Sequence, residues 1–432
     1  MMRLCVFTIL VLVPASGFTG STLDFESAIQ AAVRHSYDVR MSLLDVGISR
    51  SGLREIRALY FPELSARFNS QHVQDMTSGV QQVTAVGTTI IVRNTLYQDS
   101  LSLNAQWSLY DFGARENRVL AAATDIPLKE AVHRQSIRDT KLKVLEIYRD
   151  LLLAANELKT KRQVLPLYKE LSLTRERLYA AGLASRIEMG DEAIKVVRIV
   201  DALETLQARF VSGLKDLSYY TGHDYPTEGV EIASLTENKA GPGFDVSRTP
   251  EHRIYELAIQ KKQAEIGVIR KQLLFPQFSL YSNYILYGQN SGSYALAFRD
   301  VGPVNLYVGL MATVLFFDGF KNSAQVERAR QELDRLKVER DKKLQDLITR
   351  HEKLKEEARL RAKGLENQAD VEAKTQDNLT MVSRLTDEKV AEYIEFLNRK
   401  IELLTQRWEV EKSSVLKAAA LREMEILSEA SN

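Results

Sequence analysis

The chain is written twice, and that limits its possible folds more than any single motif does. Leu59-Tyr60-Phe61-Pro62-Glu63-Leu64-Ser65 returns as Leu273-Leu274-Phe275-Pro276-Gln277-Phe278-Ser279. Leu109-Tyr110-Asp111-Phe112-Gly113 returns 206 residues later as Leu315-Phe316-Phe317-Asp318-Gly319. Arg177-Leu178 and Ala184-Ser185-Arg186-Ile187-Glu188 align, at an offset of 207, with Arg384-Leu385 and Ala391-Glu392-Tyr393-Ile394-Glu395. One such match arises by chance; three in the same order point to internal duplication. Each half reads as helix, Pro, strand, loop, strand, Gly, very long helix, turn, long helix. The first repeat is expected over 21–222 and the second over 251–432. Between them, 223–250 is a linker or equatorial segment, marked by Pro226, Gly241, Pro242 and Gly243.

The strand segments are expected near 62–74, 99–111, 276–288 and 304–316. Leu101, Leu103, Ala105, Trp107 and Leu109 alternate with Ser102, Asn104, Gln106 and Ser108. Leu64, Ala66 and Phe68 alternate with Ser65, Arg67 and Asn69, and Leu306, Val308, Leu310, Ala312 and Val314 repeat the pattern. Phe278, Leu280, Tyr284 and Leu286 follow it less cleanly. Period-2 alternation gives each strand one apolar and one polar face. Strands of about 10 residues or slightly more cross a hydrocarbon core when tilted by roughly 45°. Phe61, Trp107, Tyr110, Phe112, Tyr287, Phe316 and Phe317 collect near their ends, as in an interfacial aromatic girdle. The strands alone fit a soluble half-buried sheet equally well.

The helices tip that balance. From Gly113 to Arg177 is 65 residues and from Gly319 to Arg384 is 66; at 1.5 Å per residue either run reaches roughly 100 Å. Apolar residues recur at alternating spacings of three and four, as in Ile394, Leu397, Ile401, Leu404 and Trp408. That makes a narrow coiled-coil seam, with charged residues on the remaining faces. Pro127 and Pro166 are expected to kink or break the first long helix.

Residues 1–20 read as a signal peptide: Arg3, an apolar run from Leu4 to Val13, Pro14, then small residues at Ala15, Ser16, Gly17 and Gly20. That run is shorter than the roughly 20 apolar residues a spanning helix needs. The one cysteine, Cys5, lies inside it, so the mature chain is expected to have no disulfide, Cys-based metal site or lipid anchor. With no long apolar helix after the signal, any membrane span must be a barrel. With 58 Lys and Arg against 57 Asp and Glu, the chain lacks the basic excess of a nucleic-acid binder. His35, His72, His133, His223, His252 and His351 are scattered, without paired metal-ligand spacing. There is no nucleophile elbow, phosphate loop or dinucleotide fingerprint, so no enzyme, cofactor or metal is expected. Asp111 and Asp318, beside the strand–helix glycines, fit helix N-terminal caps.

Four strands cannot close a barrel, and open edges in lipid leave N–H and C=O groups unsatisfied. Several copies must therefore share one barrel, a requirement that by itself does not set their number.

Several motifs in order resemble the TolC-type outer-membrane efflux proteins. They are Leu23-Asp24-Phe25-Glu26-Ser27-Ala28-Ile29, the Phe-Pro before strands one and three, Trp107 through Gly113, Arg177 to Ser185 around Gly182, Tyr219-Tyr220-Thr221-Gly222 and Phe316-Phe317-Asp318-Gly319. The resemblance covers essentially the whole mature chain. It implies an α+β membrane protein: a homotrimer whose twelve-stranded β-barrel, four strands per chain, continues into a long α-helical coiled-coil periplasmic tunnel. It also implies a passive exit duct in the bacterial outer membrane, docking to a periplasmic adaptor (membrane fusion) protein and an inner-membrane transporter for efflux or type I secretion. The alternative is a soluble periplasmic coiled-coil adaptor or scaffold.

The resemblance places the periplasmic entrance and the adaptor-docking surface at the helix–turn–helix tips. The first tip carries Arg177, Gly182 and Ser185; the second has Lys389 where the repeat puts Gly182. Docking in the family manner is therefore expected at the first tip alone. Glu188 and Asp191, and Glu395 in the second copy, are expected to line the constriction as carboxylate rings, bridged to basic neighbours such as Arg186 and Arg399. Asn398 is neutral where a second acid would strengthen the ring. Pro62, Gly113, Pro276 and Gly319 mark the barrel–helix junctions.

Overall fold

The computed structural model describes residues 22–74, 82–85, 88–91, 96–227, 229–236, 243–385 and 390–429. The signal segment and Lys389 lie outside these residues. In chain order the elements are β1 (Thr22–Leu23), α1 (Phe25–His35), α2 (Tyr37–Ala58), β2 (Glu63–Val73), β3 (Gln82–Ala85), β4 (Thr88–Ile91), β5 (Leu96–Tyr110), α3 (Ala114–Ala180) and α4 (Arg186–Thr221). Then follow β6 (Glu231–Ile232), α5 (Pro250–Leu274), β7 (Gln277–Asn290), α6 (Tyr294–Arg299), β8 (Gly302–Thr313), α7 (Lys321–Leu385) and α8 (Val390–Ser428). Among the described residues, no helix is long and apolar enough to cross a membrane. The chain divides into two compact units, one holding 1–43, 132–250 and 343–432, the other 44–131 and 251–342.

The first unit is helical. Its largest core joins Phe25, Ala28 and Ile29 of α1, Val144, Tyr148 and Leu151 of α3, Leu206, Phe210, Leu214 and Leu217 of α4 and Val415 and Ala418 of α8. A second seam packs Val164, Leu167 and Leu171 of α3 against Ile394, Leu397 and Ile401 of α8, the coiled-coil spacing visible in the sequence. Tyr148 is fully buried, and its hydroxyl lies 2.8 Å from the Leu23 carbonyl and 2.7 Å from that of Ala233, tying the small parallel β1–β6 pair to α3. Burial pushes its phenol pKa far up, so the hydroxyl stays a donor.

The second unit holds an antiparallel four-stranded sheet in the order β2-β5-β7-β8. The register lines up the alternation across all four strands. Ala66, Leu103, Tyr284 and Leu306 share one rung, and Phe68, Leu101 and Leu286 the next. Between those rungs, on the opposite face, lie Arg67, Ser102, Ile285 and Asn305. The apolar face is uncovered over most of its height: Leu64 and Leu310 are each 74% exposed and Val308 66%. At its far end α6 packs on it, with Phe298 against Phe68 and Tyr294 against Tyr97. A Cβ at Gly288 would stand 2.2 Å from the Ala297 carbonyl, so the bare backbone there admits α6.

Three expectations need correction. α3 is helical through both Pro127 and Pro166, so neither proline breaks it. A proline removes one N–H from the ladder at about 3 kcal/mol; around Pro166 the packing of Val164, Leu167 and Leu171 on α8 works against that cost. The fourth strand, β8, ends at Thr313, so Val314, Leu315 and Phe316 belong to the connection before α7. Tyr287 lies with Ser100 and Gly302 on the polar face, off the apolar band.

Candidate functional site

The hairpin between α3 and α4 is built by backbone rules. Gly182, with φ +75°, donates its N–H to the Tyr179 carbonyl at 3.0 Å, and Leu183 donates to Leu178 at 2.8 Å. This pair of bonds closes the C-terminus of α3 in the way that favours glycine at the left-handed position. Arg177 contributes its carbonyl, which accepts from Ala181 at 3.0 Å, while its side chain is exposed. α4 then opens with a reciprocal cap: the Glu188 N–H donates to Ser185 Oγ at 3.2 Å, and the Ser185 N–H donates to Glu188 Oε2 at 2.9 Å.

Glu188 is thus first a capping residue. The Ser185 N–H, assisted by the field of Arg175, holds its carboxyl below the usual range. Arg186 makes no ion pair with it among the described residues. Asp191 is exposed and, among the described residues, has no ion-pair partner. Its neighbour Glu192, which the sequence reading passed over, is buried and paired with Lys195 at 3.0 Å. The same reading missed the apolar surface of this tip, where Tyr179, Leu183 and Ile187 are exposed, the last two by about three quarters.

On α8, Glu395 is half of a shared pair. Arg399 Nε donates to Glu395 Oε1 at 2.8 Å and Arg399 Nη1 to Glu402 Oε2 at 2.9 Å. One guanidinium serves two carboxylates on the exposed helix, leaving a net negative charge. Asn398 is exposed beside them. One turn earlier the Tyr393 hydroxyl donates to the Glu170 carboxylate, linking α8 to α3 above their apolar seam. Among the described residues, no group of three or more His, Cys, Asp or Glu could hold a metal ion.

At the sheet–helix junctions, Pro62 and Pro276 stand immediately before β2 and β7. Gly113 (φ +85°) and Gly319 (φ +68°) precede α3 and α7, and each has a phenylalanine neighbour, Phe112 and Phe320, that is also left-handed. Asp111 Oδ2 accepts from the Arg115 N–H, and Asp318 Oδ2 from the Asn322 N–H, both at 2.9 Å. The first junction has an addition that no motif announced. The buried Arg115 guanidinium donates to the carbonyls of Leu59 (3.3 Å), Ser108 (2.7 Å) and Leu109 (2.9 Å) and lies over the Tyr60 ring. Its Nε stands 3.4 Å from Asp111 Oδ2, within ion-pair reach although not hydrogen-bonded.

The family model described as outer membrane efflux protein matches residues 28–223. No curated protein matches the sequence. Among solved structures, the chain is similar to CusC, described for conformational changes accompanying folding and transmembrane channel formation. The TM-score is 0.73 at 17% identity, covering 95% of this chain and 94% of that one. The Campylobacter jejuni CmeC outer membrane channel gives 0.72 at 13% identity, covering 92% and 85%. The open state of the Neisseria gonorrhoeae MtrE outer membrane channel gives 0.70 at 15% identity, covering 93% and 88%. At such identities the structural likeness speaks for the fold.

Proposed function

We propose that the chain is an outer-membrane efflux protein serving as the exit duct of a tripartite efflux or type I secretion system, a passive conduit without catalytic chemistry; the family model matched over residues 28–223 and the fold shared with solved outer membrane channels support this reading. The supporting observation is the four-stranded sheet with its uncovered apolar face, its polar opposite face and its two open edges, β2 and β8. In lipid the apolar face is solvated by acyl chains, while unpaired edges are costly and must be closed by neighbouring copies. Three copies make a twelve-stranded barrel, and the long helices form the periplasmic tunnel. A soluble adaptor is not favoured, since it would hold the row of Leu64, Val308 and Leu310 in water.

In this reading Glu395, Asp191 and Glu188 line the periplasmic constriction, with Arg399 tempering the charge of Glu395. The purified mature protein is expected to open conducting channels in planar bilayers, and Glu395→Gln to weaken cation preference and divalent-ion block. A silent bilayer would sink the duct reading; channels of unchanged selectivity would sink the ring.

The first tip docks the periplasmic adaptor, which in turn joins the inner-membrane transporter. The contact uses Arg177, Gly182 and Ser185 together with the exposed Leu183 and Ile187. Gly182→Trp is expected to abolish transport in an export assay and Lys389→Ala to leave most of it. Equal sensitivity at the two positions refutes docking by the first tip alone.

A further inference from the structure

Charge is nearly absent from the four strands that build the sheet. Across β2, β5, β7 and β8 the Asp, Glu, Lys and Arg residues are Glu63, Arg67 and Asp99, and the one histidine, His72, faces Tyr97 on the apolar side. Asp99 is buried and pairs in register with Ser70 and Gly288, on the face that carries Phe68 and Leu101 and that α6 covers. The polar face therefore holds two charges per chain, Glu63 at the first residue of β2 and Arg67 four residues on.

The neighbours of Arg67 do not neutralise it. Its rung is completed by Ser102, Ile285 and Asn305. The next polar rungs are held by neutral side chains: Asn69 donates to Gln71 at 3.2 Å, Gln71 to Gln98 at 2.8 Å and Tyr287 to Gln289 at 3.0 Å. The Arg67 side chain is exposed, with no carboxylate in ion-pair reach among the described residues. At about 3.3 Å per residue, Glu63 lies roughly 13 Å away along the strand, beyond the screening length of about 10 Å in 0.1 M salt. A guanidinium stays charged at every working pH.

We propose that Arg67 sets the ionic preference of the barrel wall, so that this part of the duct favours anionic and uncharged solutes over cations. The inference rests on the exit-duct reading, in which the polar face lines the lumen and each copy adds one Arg67 to a ring. A ring of like charges on a wall whose other charged ring, Glu63, lies beyond the screening length raises the local concentration of counter-ions and lowers that of co-ions.

The test is the reversal potential of single channels of the full-length mature protein across a potassium chloride gradient near 0.1 M. Arg67→Glu is expected to lower the chloride-to-potassium permeability ratio roughly two-fold or more, with Arg67→Gln between it and wild type. Arg67→Lys should keep the wild-type ratio. Ser102→Arg, which adds a guanidinium in the same rung, should raise it even if the Glu variant fails to assemble. All these differences should shrink near 1 M salt, where the screening length is about 3 Å. Channels with the same ratio in wild type, Arg67→Glu and Ser102→Arg overturn the role of Arg67 while leaving the duct intact. Absence of channels from the wild-type protein overturns the duct reading and this inference with it.

Discussion

Arg115→Leu is expected to destabilise the sheet-bearing unit by about 3–5 kcal/mol, the range for removing one partner of a buried ion pair. The leucine leaves three things behind. The carbonyls of Leu59, Ser108 and Leu109 lose a donor in a site whose arginine side chain is 8% exposed. The buried carboxylate of Asp111 keeps its bond from the residue 115 N–H but loses its counter-charge. The Tyr60 ring loses the cation above it. In a detergent-solubilised sample, thermal unfolding followed by circular dichroism should move down on the order of 10 °C. The second sheet–helix junction supplies a control. Asn322 occupies the corresponding place in the first turn of α7, where its backbone N–H meets Asp318, and Asn322→Ala should shift the midpoint by little, as surface changes do. Equal shifts at 115 and 322 would mean that helix capping, rather than the guanidinium, holds the first junction.

That contrast shows what the sequence could and could not reveal. The strands were legible because each alternates over many residues and the three pairings agree there, so Leu103, Tyr284 and Leu306 fall on one rung. The long helices were legible because Ile394, Leu397 and Ile401 keep a seam spacing that only a helix can bury. The role of Arg115 was not, since an arginine in the first turn of a charged helix reads as solvated, and its acceptors come from the end of α2 and from β5. Glu188 carried a usable signal, the Ser-x-x-Glu spacing of a reciprocal cap, but it was read for its charge alone. At Pro166 a correct local cost was applied without the α3–α8 packing around it, which the residues near the proline do not reveal by themselves. The short helix α6 and the β3–β4 hairpin fell in stretches read as loops, where no periodicity runs long enough to register.

Gly222→Ala should be the most damaging of the glycine substitutions in the helical unit, although alanine adds only a methyl group. Gly222 ends α4 at φ +70°, with its N–H bonded to the Ser218 carbonyl at 2.8 Å. Any L-residue there costs about 1–2 kcal/mol for the left-handed backbone alone. The new Cβ would also sit 2.4 Å from Nδ1 and 2.5 Å from Cγ of His35. The ring of His35 meets Tyr37, Tyr37 meets Tyr219, and Tyr219 meets Tyr220, so the imidazole cannot yield without disturbing that aromatic chain. Overpacking of this kind adds roughly 1–3 kcal/mol. Gly182 isolates the two contributions, because it has nearly the same backbone angle, φ +75°, with nothing within 4 Å of its would-be Cβ. Gly182→Ala should therefore show the backbone cost and Gly222→Ala the backbone cost plus the clash, a difference readable as separate midpoints in urea titrations of the two variants. If the two midpoints coincide, the packing of α1 against the end of α4 is looser than the ring contacts require, and the steric part of the argument fails.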